Sequence, residues 1–255
     1  MYREGVEGLR LRLDEAMASL GERVAVLGPL RRALVGEGDR VIRLVETLRA
    51  ETATAPTIED GARLLDLIQR VEGAATMLEE SIESSSRALA ARPPLPEIVE
   101  LEGAAIEQHH DTLDVAGQRV LLDEVVSGIE WANRTFLGQL IASVPLRLPA
   151  FHVKSRGTVG TIVSLFRSHV VDHPAFDHHY VVEGDVEVAK LLLGRHACDA
   201  LVRISLPVVS LRVADGILRL ACSHAARPAP SAAAKMPHSA LQALTAILVR
   251  IEEEV

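Results

Sequence analysis

The strongest chemical feature of the sequence is a cluster of histidines and aspartates in its second half. In the run HVVDHPAFDHH, from His169 to His179, four histidines and two aspartates fall within eleven residues. Imidazole and carboxylate groups are common ligands of divalent metal ions, which need three or four of them to converge on one point. The cluster is therefore a candidate metal site, and its candidate ligands are His173, Asp177, His178 and His179.

The triplet Asp177-His178-His179 resembles a motif of a family of metal-dependent phosphoesterases. That resemblance implies an upstream His-x-x-x-Asp-x-Asp motif, and the closest stretch has His110 and Asp114 but Ala116 in the last position. If 173–182 is a strand, His178 and His179 also point to opposite faces and cannot easily bind one ion. We therefore predict that the candidate histidines lie on the surface or in turns, and we predict no metal, no cofactor and no catalytic residue. These histidines are His109, His110, His173, His178 and His179.

A second candidate site is the basic stretch 131–171, which contains no acidic residue. Its five cations are accompanied by aromatic residues, a combination that can bind single-stranded nucleic acid or phosphate groups. The cations are Arg134, Arg147, Lys154, Arg156 and Arg167, and the aromatics are Trp131, Phe136, Phe151 and Phe166. We favour the simpler interpretation, in which the aromatics are core residues of strands whose outer face is basic.

Composition limits the class of protein. The chain has 255 residues, 48% of them hydrophobic, and a formal net charge of −8, which favours a packed core and argues against a general nucleic-acid binder. The two cysteines are far apart and form no metal-binding pair. The start of the chain lacks an apolar signal region, and the uncharged run from Thr135 to Leu146 is too short to span a bilayer. These features predict a soluble, cytoplasmic chain without a membrane span.

The N-terminal part has the pattern of long helices. Aliphatic residues recur with a period of seven, and interruptions at Gly28-Pro29 and at 36–38 predict a kink or break. The repeated positions are Val6, Leu13, Leu20, Leu27, Leu34, Val41 and Leu48. Thr57 is a candidate cap for a further helix, which ends near Arg92. Its stripe consists of Leu64, Ile68, Val71, Ala75, Leu78, Ile82, Ser85 and Leu89. We predict an antiparallel helical hairpin or coiled coil over 1–92.

The remaining segments predict a small mixed α+β domain over 97–224. Strands flank Ala116-Gly117-Gln118, a helix runs from Asp185 to about Arg203, and VVSLRVADGILRL predicts a hairpin with Asp215-Gly216 as its turn. In that register Arg212 lies opposite Arg219, which is a small indication of anion binding. A mobile linker over 225–237 and a C-terminal helix over 238–255 complete the predicted α+β fold.

The segment 151–222 resembles a bacterial family whose shared domain has no known function and whose members often carry membrane-spanning helices. The resemblance rests on the run from His173 to Val182, on the acidic start of the helix at Asp185 and on the turn at Asp215-Gly216. It implies an α+β domain without an assigned catalytic residue, in which Phe176 and Tyr180 anchor the start of a strand.

We predict from these features a non-catalytic interaction or scaffold protein. Its N-terminal helices would mediate self-association into a homo-oligomer or bind a protein partner. Two alternatives stay open. One is a metal-dependent phosphoesterase that uses the histidine and aspartate cluster, and the other is a binder of phosphate-bearing ligands through the stretch 131–171.

Overall fold

The computed structural model describes residues 2–25, 27, 38–53, 60–102, 106–128, 134–156, 171–226 and 235–254. The chain forms two compact units, one of Met1–Ala88 with Glu254–Val255 and the other of Leu89–Glu253. The α+β class is confirmed, with N-terminal helices, a seven-stranded antiparallel sheet and a C-terminal helix. Across the described residues, no helix is both long enough and apolar enough to cross a membrane.

Three helices make up most of the first unit. They are α1 (Tyr2–Ala25), α2 (Gly38–Thr52) and α3 (Gly61–Ala90). The interruptions predicted at Gly28-Pro29 and at 36–37 lie outside the described residues, and Gly38 is the first residue of α2. The predicted cap Thr57 lies outside the described residues, and it is Asp60 whose carboxylate accepts a hydrogen bond from the backbone N–H of Ala62 at 2.9 Å. Asp60 therefore bonds one of the free N–H groups in the first turn of α3.

The apolar stripes of these helices meet in one core. Its buried members come from all three helices and include Leu13, Leu20, Val45, Leu48, Leu64, Ile68, Val71 and Leu78. Arg12 pairs with Glu72 at 3.3 Å and Arg23 pairs with Glu79, so residue numbers increase in the same direction along α1 and α3. Because α2 contributes Val45 and Leu48 to the same core, the described part of the unit is a bundle of three helices. The predicted hairpin or coiled coil of two stripes is not confirmed.

The second unit is built on seven strands in the order β1-β2-β3-β7-β6-β4-β5. The strands are β1 (Ile106–Val115), β2 (Gln118–Ser127), β3 (Arg134–Ser143), β4 (Phe151–Ser155), β5 (Tyr180–Gly184), β6 (Val208–Ala214) and β7 (Ile217–Ala226). Three helices accompany them: α4 (Pro174–His179), α5 (Val186–Val202) and α6 (His238–Glu254). Every strand pair is antiparallel.

The hairpin predicted around Asp215-Gly216 is confirmed in its register. Both turn residues have positive φ, 53° and 72°, as a two-residue type I′ turn requires. Val213 pairs with Leu218 and Leu211 with Leu220, which places Arg212 opposite Arg219. The turn between β1 and β2 has the same form, with φ of 53° at Ala116 and 74° at Gly117.

The sheet has one covered face and one outer face. Alternate residues of the central strands are buried beneath α5 and α6, among them Phe136, Leu140, Leu211, Val213, Leu218, Leu220 and Cys222. The hydroxyl of Tyr180 donates to the carbonyl of Leu201 in α5 at 2.7 Å, which ties the edge strand β5 to that helix. The outer face carries polar and charged side chains, including Arg212, Arg219 and His152.

Two predicted boundaries need correction. The linker expected over 225–237 is shorter, because Ala225 and Ala226 belong to β7 and the backbone N–H of Met236 donates to the buried carboxylate of Glu124 at 2.6 Å. The strand expected over 173–182 starts only at Tyr180, since the residues before it form the short helix α4. Proline at the first helical position and the His173 side chain as N-cap favour that helix.

Candidate functional site

The histidines singled out in the sequence lie at opposite edges of the sheet. His109 and His110 belong to β1 at one edge, while His178 and His179 end α4 just before β5 at the other. Six strand spacings separate these edges, which at about 4.8 Å each amount to roughly 29 Å. The two pairs therefore cannot bind one metal ion. Within the described ranges, no three His, Cys, Asp or Glu side chains are grouped closely enough to hold a metal ion.

His169 lies outside the described residues, and the fourth histidine of the cluster, His173, uses both ring nitrogens within the fold. Its Nδ1 accepts a hydrogen bond from the backbone N–H of Phe176 at 3.1 Å. The ring proton therefore lies on Nε2, which donates to Oδ1 of Asp199 at 2.9 Å. That hydrogen bond is the largest cause that lowers the pKa of Asp199 below its ordinary value. In this arrangement His173 ties α4 to α5 and has no lone pair left for a metal ion.

The basic stretch 131–171 is only partly within the described residues, since 131–133 and 157–170 lie outside them. Phe136 and Phe151 are buried in the core of the sheet, as the simpler interpretation predicts. Lys154 pairs with Glu183 at 2.6 Å, and Nε of Arg156 donates to the carbonyl of Tyr180 at 2.9 Å. These two cations therefore already have partners in the fold.

A break in α5 marks a site that includes Asp172 and His173 of the predicted histidine and aspartate cluster but is otherwise formed by α5. Gly194 has φ of 37° and ψ of 171°, while the residues on both sides are helical. Side-chain-bearing residues rarely adopt this combination, which glycine tolerates because it has no β-carbon. A β-carbon at Gly194 would meet nothing within 4 Å. The backbone conformation, and not crowding, therefore requires glycine here.

Side chains bond the carbonyl groups next to this break. Nε of Arg250 in α6 donates to the carbonyl of Leu191 at 3.3 Å, and the thiol of Cys198 donates to the carbonyl of Leu193 at 3.8 Å. In an unbroken helix these carbonyls would accept from the N–H groups four residues later. The surrounding fold thus supports the break, because α5 and α6 both supply donors for it.

Next to the break lies a cavity of about 370 Å³, which we call the Gly194 cleft. It is lined by Val171, Asp172, His173, Pro174, Lys190, Gly194, Arg195 and Cys198. Lys190 and Arg195 supply two positive charges on either side of the break. Nζ of Lys190 lies 3.4 Å from the exposed Glu187, a long contact that constrains it little. Asp172, exposed and with φ of 55°, supplies one negative charge.

The groups of the cleft that could react are held in unreactive states. Burial raises the pKa of the Cys198 thiol to about 12, and the charges of Asp177 and Asp199 act in the same direction. A thiol with that pKa is not ionised near neutral pH and is a weak nucleophile. Because His173 is also engaged at both nitrogens, neither His173 nor Cys198 is free to act as a base or nucleophile beside the two cations.

Asp172 and His173 belong to the cluster predicted as a candidate metal site, whereas Lys190, Gly194 and Arg195 were not predicted as part of a site. A glycine inside the helical pattern between Asp185 and Arg203 was the available signal, because glycine there costs helix stability and usually has a packing or functional reason. The sequence did not indicate that Asp172 and Lys190 lie close together, because a short helix and a strand separate them in the chain. Comparison with protein families, with curated proteins and with solved structures finds no match for this chain, so the resemblance over 151–222 stays a prediction.

Proposed function

We propose that this chain is a non-catalytic binding protein whose C-terminal unit holds a small phosphate-bearing anion in the Gly194 cleft. One observation carries the proposal, namely the pair of cations, Lys190 and Arg195, on the wall of a cavity of about 370 Å³. Cavities of this size suit small ligands, and ammonium and guanidinium groups both bind phosphate. The ligand class is the one considered for the basic stretch 131–171, but the cations belong to α5.

The balance of charge in the cleft favours an anion. Two cations and one carboxylate, that of Asp172, line the cleft, while Glu187 next to Lys190 and Asp199 behind His173 offset part of the positive charge. Asp172 opposes anion binding and sets a limit on affinity. Because all three groups are at least partly exposed, each contributes a screened interaction on the order of 1 kcal/mol. We therefore expect modest affinity that decreases as salt concentration rises.

Binding without reaction follows from the state of His173 and Cys198. A hydrolytic site needs a base or nucleophile within reach of the ligand. His173 is committed to Phe176 and Asp199, and Cys198 is a neutral thiol. A phosphate monoester incubated with the protein should therefore be recovered intact. Steady release of inorganic phosphate that is lost in the Lys190→Ala variant would argue for an enzyme instead.

Calorimetric titration with inorganic phosphate at low salt tests the binding step. We expect Lys190→Ala and Arg195→Ala each to weaken phosphate binding about tenfold. Asp172→Asn should strengthen it about threefold, because the change removes a repulsive charge while asparagine tolerates the same positive φ. Weaker binding on loss of a cation together with stronger binding on loss of the carboxylate would indicate an electrostatic site, because a general loss of structure would weaken binding in every variant.

Arg147→Ala provides the matched control. Arg147 is an exposed arginine in the turn after β3 and does not line the cleft. Its removal should leave the dissociation constant for phosphate unchanged. If Arg147→Ala weakens binding as much as Arg195→Ala does, the ligand is held by the basic stretch 131–171 and the proposed site is wrong.

A second candidate function is self-association through the N-terminal helices into a homo-oligomer, and we propose it beside the first. The specific observation is that three large apolar side chains of α1 and α3 are exposed, namely Leu11 at 63%, Leu65 at 42% and Met77 at 46%. The main stripes lie in the core of the bundle itself. Association would therefore use these exposed side chains, where burial of apolar area supplies the free energy.

Sedimentation of the full-length chain over a range of concentrations tests self-association. We expect Leu11→Ser and Met77→Ser to shift the chain towards monomer. Leu146→Ser is the control, because Leu146 is 50% exposed but belongs to the other unit. A wild-type chain that stays monomeric at high concentration would exclude this second function.

A further inference from the structure

A second cavity lies beside the Gly194 cleft, between α5 and α6, and we call it the α5–α6 groove. Its volume is about 600 Å³. Its walls include Leu192, Leu193 and Ala197 on α5 and Leu241, Ala246 and Val249 on α6. Val249 is 40% exposed, which is unusual for a β-branched aliphatic residue on a helix that faces a neighbour. The groove thus offers apolar surface that the fold leaves open to solvent.

The groove and the cleft meet at the break in α5. Gly194 and Arg195 line both cavities. The guanidinium group of Arg195 is therefore at the junction between a cationic cavity and an apolar one. A single ligand that occupied both would need an acidic group next to an aliphatic part.

Several polar residues also line the groove, and three of them, Thr245, Arg250 and Glu253, are bonded within the fold. The hydroxyl of Thr245 donates to the carbonyl of Leu241 at 2.8 Å. Arg250 donates to the carbonyl of Leu191 and lies 3.5 Å from Glu253. Thr245 and Arg250 would therefore keep their partners with an aliphatic chain in the groove, and the chain would lie against Leu241, Ala246 and Val249.

We infer that the ligand of this protein is an amphipathic acid whose anionic group binds Lys190 and Arg195 in the cleft and whose aliphatic chain lies in the α5–α6 groove. This inference rests on the proposed anion-binding function and names its ligand class. Alkyl phosphates share both features and serve as probes. A carboxylate or phosphate head would meet the same two cations, and a comparison of decanoate with decyl phosphate separates the two.

The test measures how affinity changes with chain length in the full-length protein. Titrations with inorganic phosphate and with butyl, hexyl and octyl phosphate, all below their micelle concentrations, should give affinities that rise about fourfold for each methylene buried. Val249→Asn places a polar group in the groove at an exposed helical position. It should flatten the dependence on chain length and leave the affinity for inorganic phosphate unchanged.

Two further variants distinguish the effect of the anion site from the effect of the groove. Lys190→Ala should weaken all four probes by the same factor, because each carries the same head group. Leu146→Asn changes an exposed leucine that lines neither cavity and should have no effect.

The outcomes distinguish the two claims. Affinity independent of chain length, with phosphate binding intact, would overturn the amphipathic ligand and keep the anion site. Phosphate binding indifferent to Lys190→Ala would remove the anion site itself, and equal affinity for decanol and decyl phosphate would then show an apolar groove alone. If Val249→Asn changes the sedimentation of the chain instead of its dependence on chain length, the groove is a contact between two copies and the inference is wrong.

Discussion

At the scale of single residues, Gly194 controls the geometry of the candidate site. With φ of 37° and ψ of 171°, it separates two helical halves of α5 and places Lys190 and Arg195 on either side of the break. The carbonyl groups next to the break are bonded by Cys198 and Arg250. The break is therefore built into the packing of α5 and α6, and the two cavities adjoin each other because of it.

Gly194→Ala should destabilise the protein by about 1–3 kcal/mol, the usual cost of a side-chain-bearing residue in a rare backbone conformation. No clash contributes, since a β-carbon there would meet nothing within 4 Å. Chemical denaturation measures the free energy of unfolding. If the variant avoids the strain by straightening α5, phosphate binding is lost and the stability changes less.

Gly73→Ala is the matched control for that prediction. Gly73 lies in the middle of α3, is exposed, and also has nothing within 4 Å of its virtual β-carbon. Its conformation is helical, so alanine should stabilise the protein by about 0.5–1 kcal/mol. The same substitution is thus expected to have opposite signs at two positions. A stabilising effect at both would show that the backbone at Gly194 is not strained for alanine.

The sequence pointed to His173 and Asp177–His179 because histidine and aspartate are conspicuous and close together. Which ring nitrogens are free depends on partners that local sequence does not reveal, such as Asp199, which is 26 residues away from His173. The grouping of charged residues in the cleft could not be predicted either. Asp172 and Lys190 are separated in sequence by α4 and β5, and they come together only in the folded structure. Gly194 was the local signal for the part of the site that α5 forms, and the cluster from His169 to His179 already contained Asp172 and His173.

At the scale of elements, the outer face of the sheet has a row of cross-strand neighbours with unequal charge. Arg219, Arg212 and His152 follow one another across β7, β6 and β4, and Glu183 follows on β5. His152 hydrogen-bonds with the hydroxyl of Ser210 at 2.7 Å. Burial is the largest cause that lowers the pKa of His152 below 6.5, and Lys154 and Arg212 lower it further while Glu183 raises it.

This lowered pKa gives stability a defined dependence on pH. As pH falls below about 6.5, the unfolded chain binds a proton at position 152 before the folded chain does. The contribution of His152 to the free energy of unfolding is therefore intact above that pH and is lost as pH falls through the lowered pKa of the folded state. We expect His152→Gln to reduce the loss of stability between about pH 7 and pH 5, measured by urea denaturation.

Lys154→Gln tests the cause of that shift. It removes one of the charges that lower the pKa of His152, so it should also reduce the loss of stability, but less than His152→Gln does. Direct titration of the His152 ring by NMR should show its pKa rising in this variant. If both variants lose as much stability as the wild type when the pH falls from about 7 to about 5, a group other than His152 causes that loss.

The helices and hairpins differ in how well sequence predicted them. The stripe of α3 and the register of the β6–β7 hairpin were predicted correctly, because both follow from a strict period and a turn with special φ requirements. The helix α4 was mistaken for strand. Its six residues are too few to show a helical period, and the side chain of His173 had to be recognised as the N-cap. Phe176 and Tyr180 are buried as predicted, but they stack at 5.0 Å across a helical turn and not along a strand.

At the scale of the whole molecule, two separate apolar cores explain why aliphatic composition was a sound guide to fold class. The first unit buries leucine and valine from three helices, and the second buries one face of a sheet beneath α5 and α6. The order of strands could not be predicted from the sequence. The strands β3 and β7 pair along their whole length, although 73 residues of chain lie between Ser143 and Ile217, their paired residues that are nearest in sequence. Only the strand pairs of the hairpins are close enough in sequence to be predicted from it.

This strand order predicts a gradient of hydrogen exchange across the sheet. β7 is paired on both sides, with β3 and with β6, whereas β1 is paired only with β2 among the strands that the structure describes. Leu218, Leu220 and Cys222 of β7 are fully buried. Their amides can exchange only when the sheet opens, so we expect them to be among the slowest, and the amides of β1 to exchange faster through local fraying. Exchange followed by mass spectrometry of peptides measures both.

Slow exchange of the β1 amides, contrary to this gradient, would indicate self-association through the edge of the sheet. An edge strand has a row of unpaired backbone groups that can pair with a strand of another chain, and β1 limits this with charged side chains such as Glu107, Asp111 and Asp114. If β1 were as protected as β7 and lost that protection on dilution, its edge would be covered by a second copy. Self-association would then use the sheet, and the proposed contact through Leu11 and Met77 would be wrong.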